Sequence, residues 1–314
     1  MDKVRQLQFC HQSHLNLFRH FPPTSTALLV CALLLGGCSA RQMVIGSLAD
    51  ELAAQGTGND PDIELVRDAS AFYLKLSESV LRQDPAHGRL AESVSSGFAQ
   101  YAYAFVAFEA DKIEEKNAKE AERLRFRAAG LYKRAHLHAL NSLEAQTPGF
   151  KSALKSMDAK ASMKLRPAQV PLAYWAAAAW GGWISLAKDD PDVVADLPLA
   201  IRLAELAWAT DPNWGDGALT GLLGSFEAGR TGGNLARAQG YFDQSIQQSN
   251  GRLASPLVGK AEGYALPAGD RELFETLLAK AISIQDDAGS PLSLQNEIMR
   301  QRARWLLQKT NELF

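Results

Sequence analysis

The chain has 314 residues, 33 Lys and Arg against 35 Asp and Glu, and a hydrophobic fraction of 46%. This is the composition of a folded protein, long for one core but allowed for an elongated helical array whose units touch only their neighbours. A formal net charge of -2 supplies no basic face for nucleic acid, which is excluded as a partner.

The first 25 residues carry Lys3, Arg5 and Arg19, and an unbroken apolar run follows from Ala27 to Leu35. As a helix, such a run spans about 14 Å, roughly half of a hydrocarbon core of about 30 Å, so it reads as the core of a signal peptide rather than as a permanent membrane span. The next residues, Leu35-Gly36-Gly37-Cys38, place two small side chains beside a scissile bond and resemble the lipobox of bacterial lipoproteins. An ordinary secretory signal with a chance cysteine is the alternative. The lipobox reading implies a signal peptide over 1–37 and lipid attachment at Cys38, with a thioether-linked diacylglycerol, an acylated (palmitate-type) N-terminus and a membrane anchor facing the periplasm. Ser39, rather than Asp, fits sorting to the outer membrane. Cys10, Cys31 and Cys38 are the three cysteines, so the mature chain keeps a single, acylated one and has neither disulfides nor cysteine metal sites.

Residues 38–62 form the anchored segment and a loop, since 53–62 are small, polar and turn-forming. From 63 to 314 helical periodicity dominates. Val66, Ala69, Tyr73, Leu76 and Val80 share one face and Asp84-Pro85 ends the run; Leu90, Val94, Phe98, Tyr101, Phe105 and Phe108 repeat the pattern. A long charged helix carries Leu124, Ala128, Leu131 and Ala135 and ends before Thr147-Pro148-Gly149. Residues 171–187 are apolar almost all round, as expected of a central helix enclosed by others. Its Gly181 and Gly182 predict the close approach of another backbone. Further helices follow over about 199–210, 215–229, 234–249, 255–266, 270–284 and 291–313, separated by Gly, Pro and Asn turns. No stretch alternates as a strand does. The expected fold is therefore all-α: about ten helices in helical hairpins, arranged as a degenerate tetratricopeptide-like array. Ala238 and Phe242 match the A-x-x-x-F core of that repeat, whereas the 127-residue interval between Asp84-Pro85 and Asp211-Pro212 is not a multiple of 34, which leaves a non-repetitive bundle as the alternative.

No H-E-x-x-H, Walker loop, G-x-S-x-G or C-x-x-C occurs, so an enzyme is not expected, nor is a cofactor. His136 and His138 are two apart and point to different sides of a helix, which does not suit a shared metal. Glu114-Glu115 and Asp189-Asp190 read as solvated faces or helix ends. Asp270-Arg271-Glu272 opens a helix, where capping outweighs a partner-binding role for Arg271. Tyr174, Trp175, Trp180 and Trp183 admit two readings: core packing, or, for Tyr174, Trp175 and Trp183, the lining of a ligand cavity or pore.

The lipobox, Val170-Pro-Leu-Ala-Tyr-Trp-Ala-Ala-Ala-Ala-Trp-Gly-Gly-Trp-Ile, Leu206-Ala-Trp-Ala-Thr-Asp-Pro-Asn-Trp-Gly-Asp-Gly-Ala-Leu and Lys260-Ala-Glu-Gly-Tyr-Ala-Leu-Pro-Ala-Gly-Asp-Arg-Glu-Leu-Phe-Glu-Thr-Leu-Leu together resemble the TatT component family of tripartite ATP-independent periplasmic (TRAP) transporters. The resemblance runs from about Cys38 to about Leu307. It implies a tetratricopeptide-like lipoprotein that forms a homo-oligomer, a trimer, crossed by an internal pore. It also implies a periplasmic solute-binding protein as partner and a small-molecule ligand, a small organic acid or another apolar-tailed carboxylate. An envelope scaffold that binds extended peptides on its helical surface is the competing expectation, and a binding protein and permease encoded beside the chain favour transport.

Overall fold

A computed structural model describes residues 42–54, 60, 62–156, 163–287 and 289–314; the expected signal peptide and Cys38 lie outside the described residues. The chain divides into Met1–Ser47 and Leu48–Phe314, and the second unit holds the cores and cavities. Among the described residues there is no strand: the fold is all-α. Residues 42–54 are helical (α1). The succession then runs α2 (Ile63–Leu81), α3 (Gly88–Tyr101), α4 (Phe108–Ile113), α5 (Ala118–Gln146), α6 (Phe150–Lys155), α7 (Val170–Leu186), α8 (Pro191–Ala195) and α9 (Leu197–Thr210). It continues through α10 (Ala218–Gly229), α11 (Leu235–Gln248), α12 (Ser255–Lys260), α13 (Arg271–Ser283), α14 (Ser293–Gln308) and α15 (Thr310–Leu313).

Short polar side chains set many of the starts. Asp62, His87, Asn117, Asp190, Asn234 and Asp270 each accept a backbone N–H from the first turn of the helix that follows, satisfying donors that have no partner within the helix. Pro191 follows the Asp190 cap of α8 and Pro256 stands in the first turn of α12, where a missing N–H costs nothing.

The first core is built by α3, α5, α7 and α9. Helix α7 packs against α3, α5 and α9, and Ala173, Ala176, Ala177 and Ala179 are fully buried, so the expectation of an enclosed helix holds. Its two glycines admit aromatic rings rather than a backbone. A Cβ on Gly181 would stand 2.7 Å from the Phe226 ring, and one on Gly182 2.8 Å from the Tyr132 ring. A second core gathers Leu257, Val258, Phe274, Leu278, Ala303 and Leu306 from α12, α13 and α14. Between the two, α10 and α11 pair, and the Phe242 ring, 1% exposed, sits among Gly224, Gly259 and Gly263. An added Cβ would come within 3.0, 3.3 and 2.8 Å of it there.

The structure corrects the periodicity in three places. In α2 the buried face is Val66, Leu74, Ser77, Glu78 and Leu81, while Ala69 and Leu76 are exposed; the stripe centres on a paired carboxylate that a count of apolar residues passes over. In the next helix Tyr101 and Phe105 are only half-buried. A π turn over Ala102–Ala107 inserts an extra residue, so a strict spacing of four (Leu90, Val94, Phe98, Ala102, Val106, Ala110) keeps facing the core. The helix expected from 215 begins only at Ala218, because Gly215, Asp216 and Gly217 adopt φ of +65°, +54° and +95°. The short α6 and α8 carry too few residues for a periodic signal.

Candidate functional site

A cavity of about 750 Å³ opens between α3 with its π turn, α5, α7, α10, α12 and α14. Two wide turns contribute to its wall. Ala102–Ala107 contributes Tyr103 and Ala104, and a second π turn, Ala261–Ala265, contributes Glu262 and Gly263; Leu266 N–H donates to Ala261 O across it at 2.9 Å. Such turns present side chains that a regular helix would carry round to another face.

One wall is aromatic. Tyr174 meets Trp175 at a ring-centre distance of 4.9 Å and Trp214 at 4.5 Å, and all three line the cavity, as does Tyr132. Burial pushes the Tyr174 hydroxyl up to about 12 and raises those of Tyr103 and Tyr132 further. All three phenols stay protonated at neutral pH and offer O–H donors. Trp183 is not part of the lining. It follows Trp175 by eight residues, which turns it about 80° around the helix, and it packs 6.3 Å from the His136 ring and under Lys133 at 4.9 Å.

A second cavity of about 430 Å³, walled by α2, α3 and α14, shares Gln100, Ala104, Leu294, Gln295 and Ile298 with the first. Those five residues border both spaces.

The charged residues on the wall of the large cavity are Asp216 and Glu262. Asp216 pairs with Arg252 at 2.8 Å. Glu262 accepts from Arg302 at 2.7 Å, and the same guanidinium donates to Asp111 at 2.6 Å. Arg302 also lies over the rings of Phe108 and Trp305, at 5.2 and 4.8 Å. Coulombic contact with Glu262 and hydrogen bonds to both carboxylates outweigh the desolvation of Arg302 and hold its pKa above the ordinary value.

Away from the cavity, His138 Nε2 meets Glu78 at 2.8 Å, and Arg134, Lys75 and Arg82 also reach that carboxylate. Against the desolvation that raises it, these bonds lower Glu78 to about 2. His136 is buried with Nδ1 3.1 Å from Ala176 O; since a carbonyl only accepts, Nδ1 carries the proton. The two histidines thus turn to different partners. Glu114 takes Arg125, Glu115 takes Lys309 and Asp190 caps α8. Asp270 caps α13, and Arg271 binds Glu275 and Asn311 at 2.8 Å each. Among the described residues no three His, Cys, Asp or Glu side chains are grouped to hold a metal ion, and no helix is long and apolar enough to cross a membrane.

Sequence reasoning missed Tyr103, Tyr132, Trp214, Asp216 and Glu262 as lining residues. The one signal that carried a hint was Trp214-Gly215-Asp216-Gly217, where two glycines around an Asp announce a left-handed turn rather than a helix start.

Compared with known proteins, residues 59–314 match the family model described as TRAP transporter T-component. An uncharacterized protein of Treponema pallidum (strain Nichols) is 25% identical over 305 residues, which is 90% of this chain and 94% of that relative.

Proposed function

The chain belongs to the TRAP transporter T-component family, and from that premise we propose that it binds a periplasmic solute-binding protein and passes an apolar-bodied ligand through the cavity between its hairpins. The accessory role in a transporter and the association with the cell envelope follow from the family. Partner binding and ligand passage are the proposal. The observation that carries it is the pair of adjoining cavities that share five lining residues, Gln100, Ala104, Leu294, Gln295 and Ile298. Joined across those residues, the two make one passage lined by the Tyr174, Trp175 and Trp214 rings, surfaces suited to apolar bodies. In the same reading, the chain is cleaved before Cys38 and acylated there, which holds it on the outer membrane facing the periplasm. Self-association as a trimer is supported by the exposed apolar stripe of Leu65, Ala69, Phe72 and Leu76 on α2, with Phe72 75% exposed. The hairpins are proposed to act as degenerate tetratricopeptide units.

The test is sedimentation of the soluble form from Ser39, alone and mixed at tens of micromolar with the solute-binding protein encoded beside it. A delivery complex that releases its partner each cycle is expected near micromolar affinity, about -8 kcal/mol. A monomer that forms no new species with that protein overturns both self-association and partner binding.

A further inference from the structure

The wall of the large cavity carries hydrogen-bond donors that the protein does not use. Tyr103, Tyr132 and Tyr174 each bring a phenol to it, and Trp175 and Trp214 each bring an indole N–H. Among the described residues none of these five donors has a hydrogen-bond partner, whereas Trp208, off the lining, donates its indole N–H to Thr220 at 3.1 Å. Other polar groups of the wall are spent within the fold. Ser225 donates to Gly221 O at 3.1 Å and Ser245 to Gly217 O at 2.7 Å, and Asp216 and Glu262 are paired with Arg252 and Arg302. No Lys, Arg or His belongs to that wall. What the cavity leaves open is a set of uncharged donors, and an indole N–H can only donate.

The donors are also grouped and held. Tyr174 stands 4.9 Å from Trp175 and 4.5 Å from Trp214 between ring centres. Tyr132 is 8% exposed, and its ring is seated where a Cβ on Gly182 would come within 2.8 Å of it, so close packing leaves it little room to turn its hydroxyl elsewhere. Burial keeps the three phenols protonated at neutral pH, so they donate to an anion rather than repel it. A ligand that fills this space without an oxygen leaves the donors unsatisfied, and one that brings an acceptor does not.

We propose that Tyr103, Tyr132 and Tyr174, with the indole N–H groups of Trp175 and Trp214 beside them, hold the oxygen-bearing end of the ligand, a carboxylate or a hydroxyl, through neutral donors and without a cation. This rests on the ligand-passage reading above and names the residues that select among apolar-bodied molecules.

The experiment titrates the full chain carrying Cys38→Ser, so that it bears no lipid, with octanoate, octanol and toluene, by calorimetry at pH 7. The same titrations are repeated with Tyr103→Phe, Tyr132→Phe and Tyr174→Phe combined, which keeps every ring and removes the three hydroxyls. The combined variant is expected to bind octanol about tenfold more weakly and octanoate more weakly still, because a charged acceptor makes the stronger bond. Toluene, which has no oxygen, is expected to bind both forms alike, a pattern that loss of folding does not give. If octanoate and octanol keep their affinities in the variant, the head-group reading is overturned and the passage stands. If toluene weakens in step with them, the hydroxyls support the shape of the cavity instead, and the reading is again overturned. If none of the three binds the unsubstituted cavity, ligand passage itself falls, and this inference with it.

Discussion

His136 carries a pH dependence that its surroundings specify. Burial against Trp180, with ring centres 4.2 Å apart, lowers it from 6.5 to about 4 despite the bond to Ala176 O. The folded state therefore resists a proton that the unfolded chain accepts. Its contribution is fully present above pH 6.5, declines as pH falls through the window from 6.5 to 4, and reaches a loss of roughly 3 kcal/mol at most. Glu78, lowered to about 2, acts in the same direction but in a lower window, from 4.5 downward. Urea unfolding of the soluble form is expected to lose stability between pH 6.5 and 4, and His136→Asn, which keeps a donor for Ala176 O, is expected to flatten that segment alone. A pH-independent midpoint over this interval would refute the assignment. Neither environment was legible beforehand: the sequence separated the two histidines, but the partners lie 40 and 60 positions away.

Helix packing shows why some elements were readable and others were not. Helix α7 was legible because an apolar composition all round leaves no face for water, and α11 because Ala238 and Phe242 sit one turn apart on its buried side. The glycines were legible as close contacts but not as to what fills them, because a ring and a backbone exploit a missing Cβ alike. The wide turns before α4 and after α12 escaped because they break no composition rule; each shifts the register by one residue. Gly182 joins α7 to the cavity, since the Tyr132 ring it admits also lines the wall. In Gly182→Ala the new methyl moves that ring, costing about 1–3 kcal/mol of overpacking, offset by about 1 kcal/mol of helix propensity. The expected outcome is a net destabilisation of about 1 kcal/mol, read by thermal unfolding, with weakened octanol binding. Unchanged octanol affinity would separate Tyr132 from the proposed ligand path.

At the scale of the molecule, α14 returns to α4. Arg302 reaches Asp111 across 191 positions, Lys309 reaches Glu115 across 194, and Phe108 meets Trp305 edge to face at 5.8 Å. These pairings tie α14, whose Leu294, Gln295, Ile298 and Met299 line the cavity, to α4, and no local pattern in the sequence announces them, since each charged partner alone reads as a solvated charge. Arg302→Ala leaves Glu262 and Asp111 without their shared cation. Because both carboxylates retain about a third of their exposure, 31% each, the expected cost is about 2–3 kcal/mol, below that of a fully buried pair; urea denaturation that shows less than 0.5 kcal/mol would refute the role. The closure also orders events in time. Hairpins such as α10–α11 and α13–α14 join residues near in sequence and assemble quickly, whereas a junction spanning 191 positions waits until the intervening chain is in place. The α4–α14 junction is therefore expected to form after the rate-limiting step. Arg302→Ala should accelerate unfolding and leave the folding rate almost unchanged, so the residues that join α14 to α4 govern how long the folded protein lasts rather than how fast it forms.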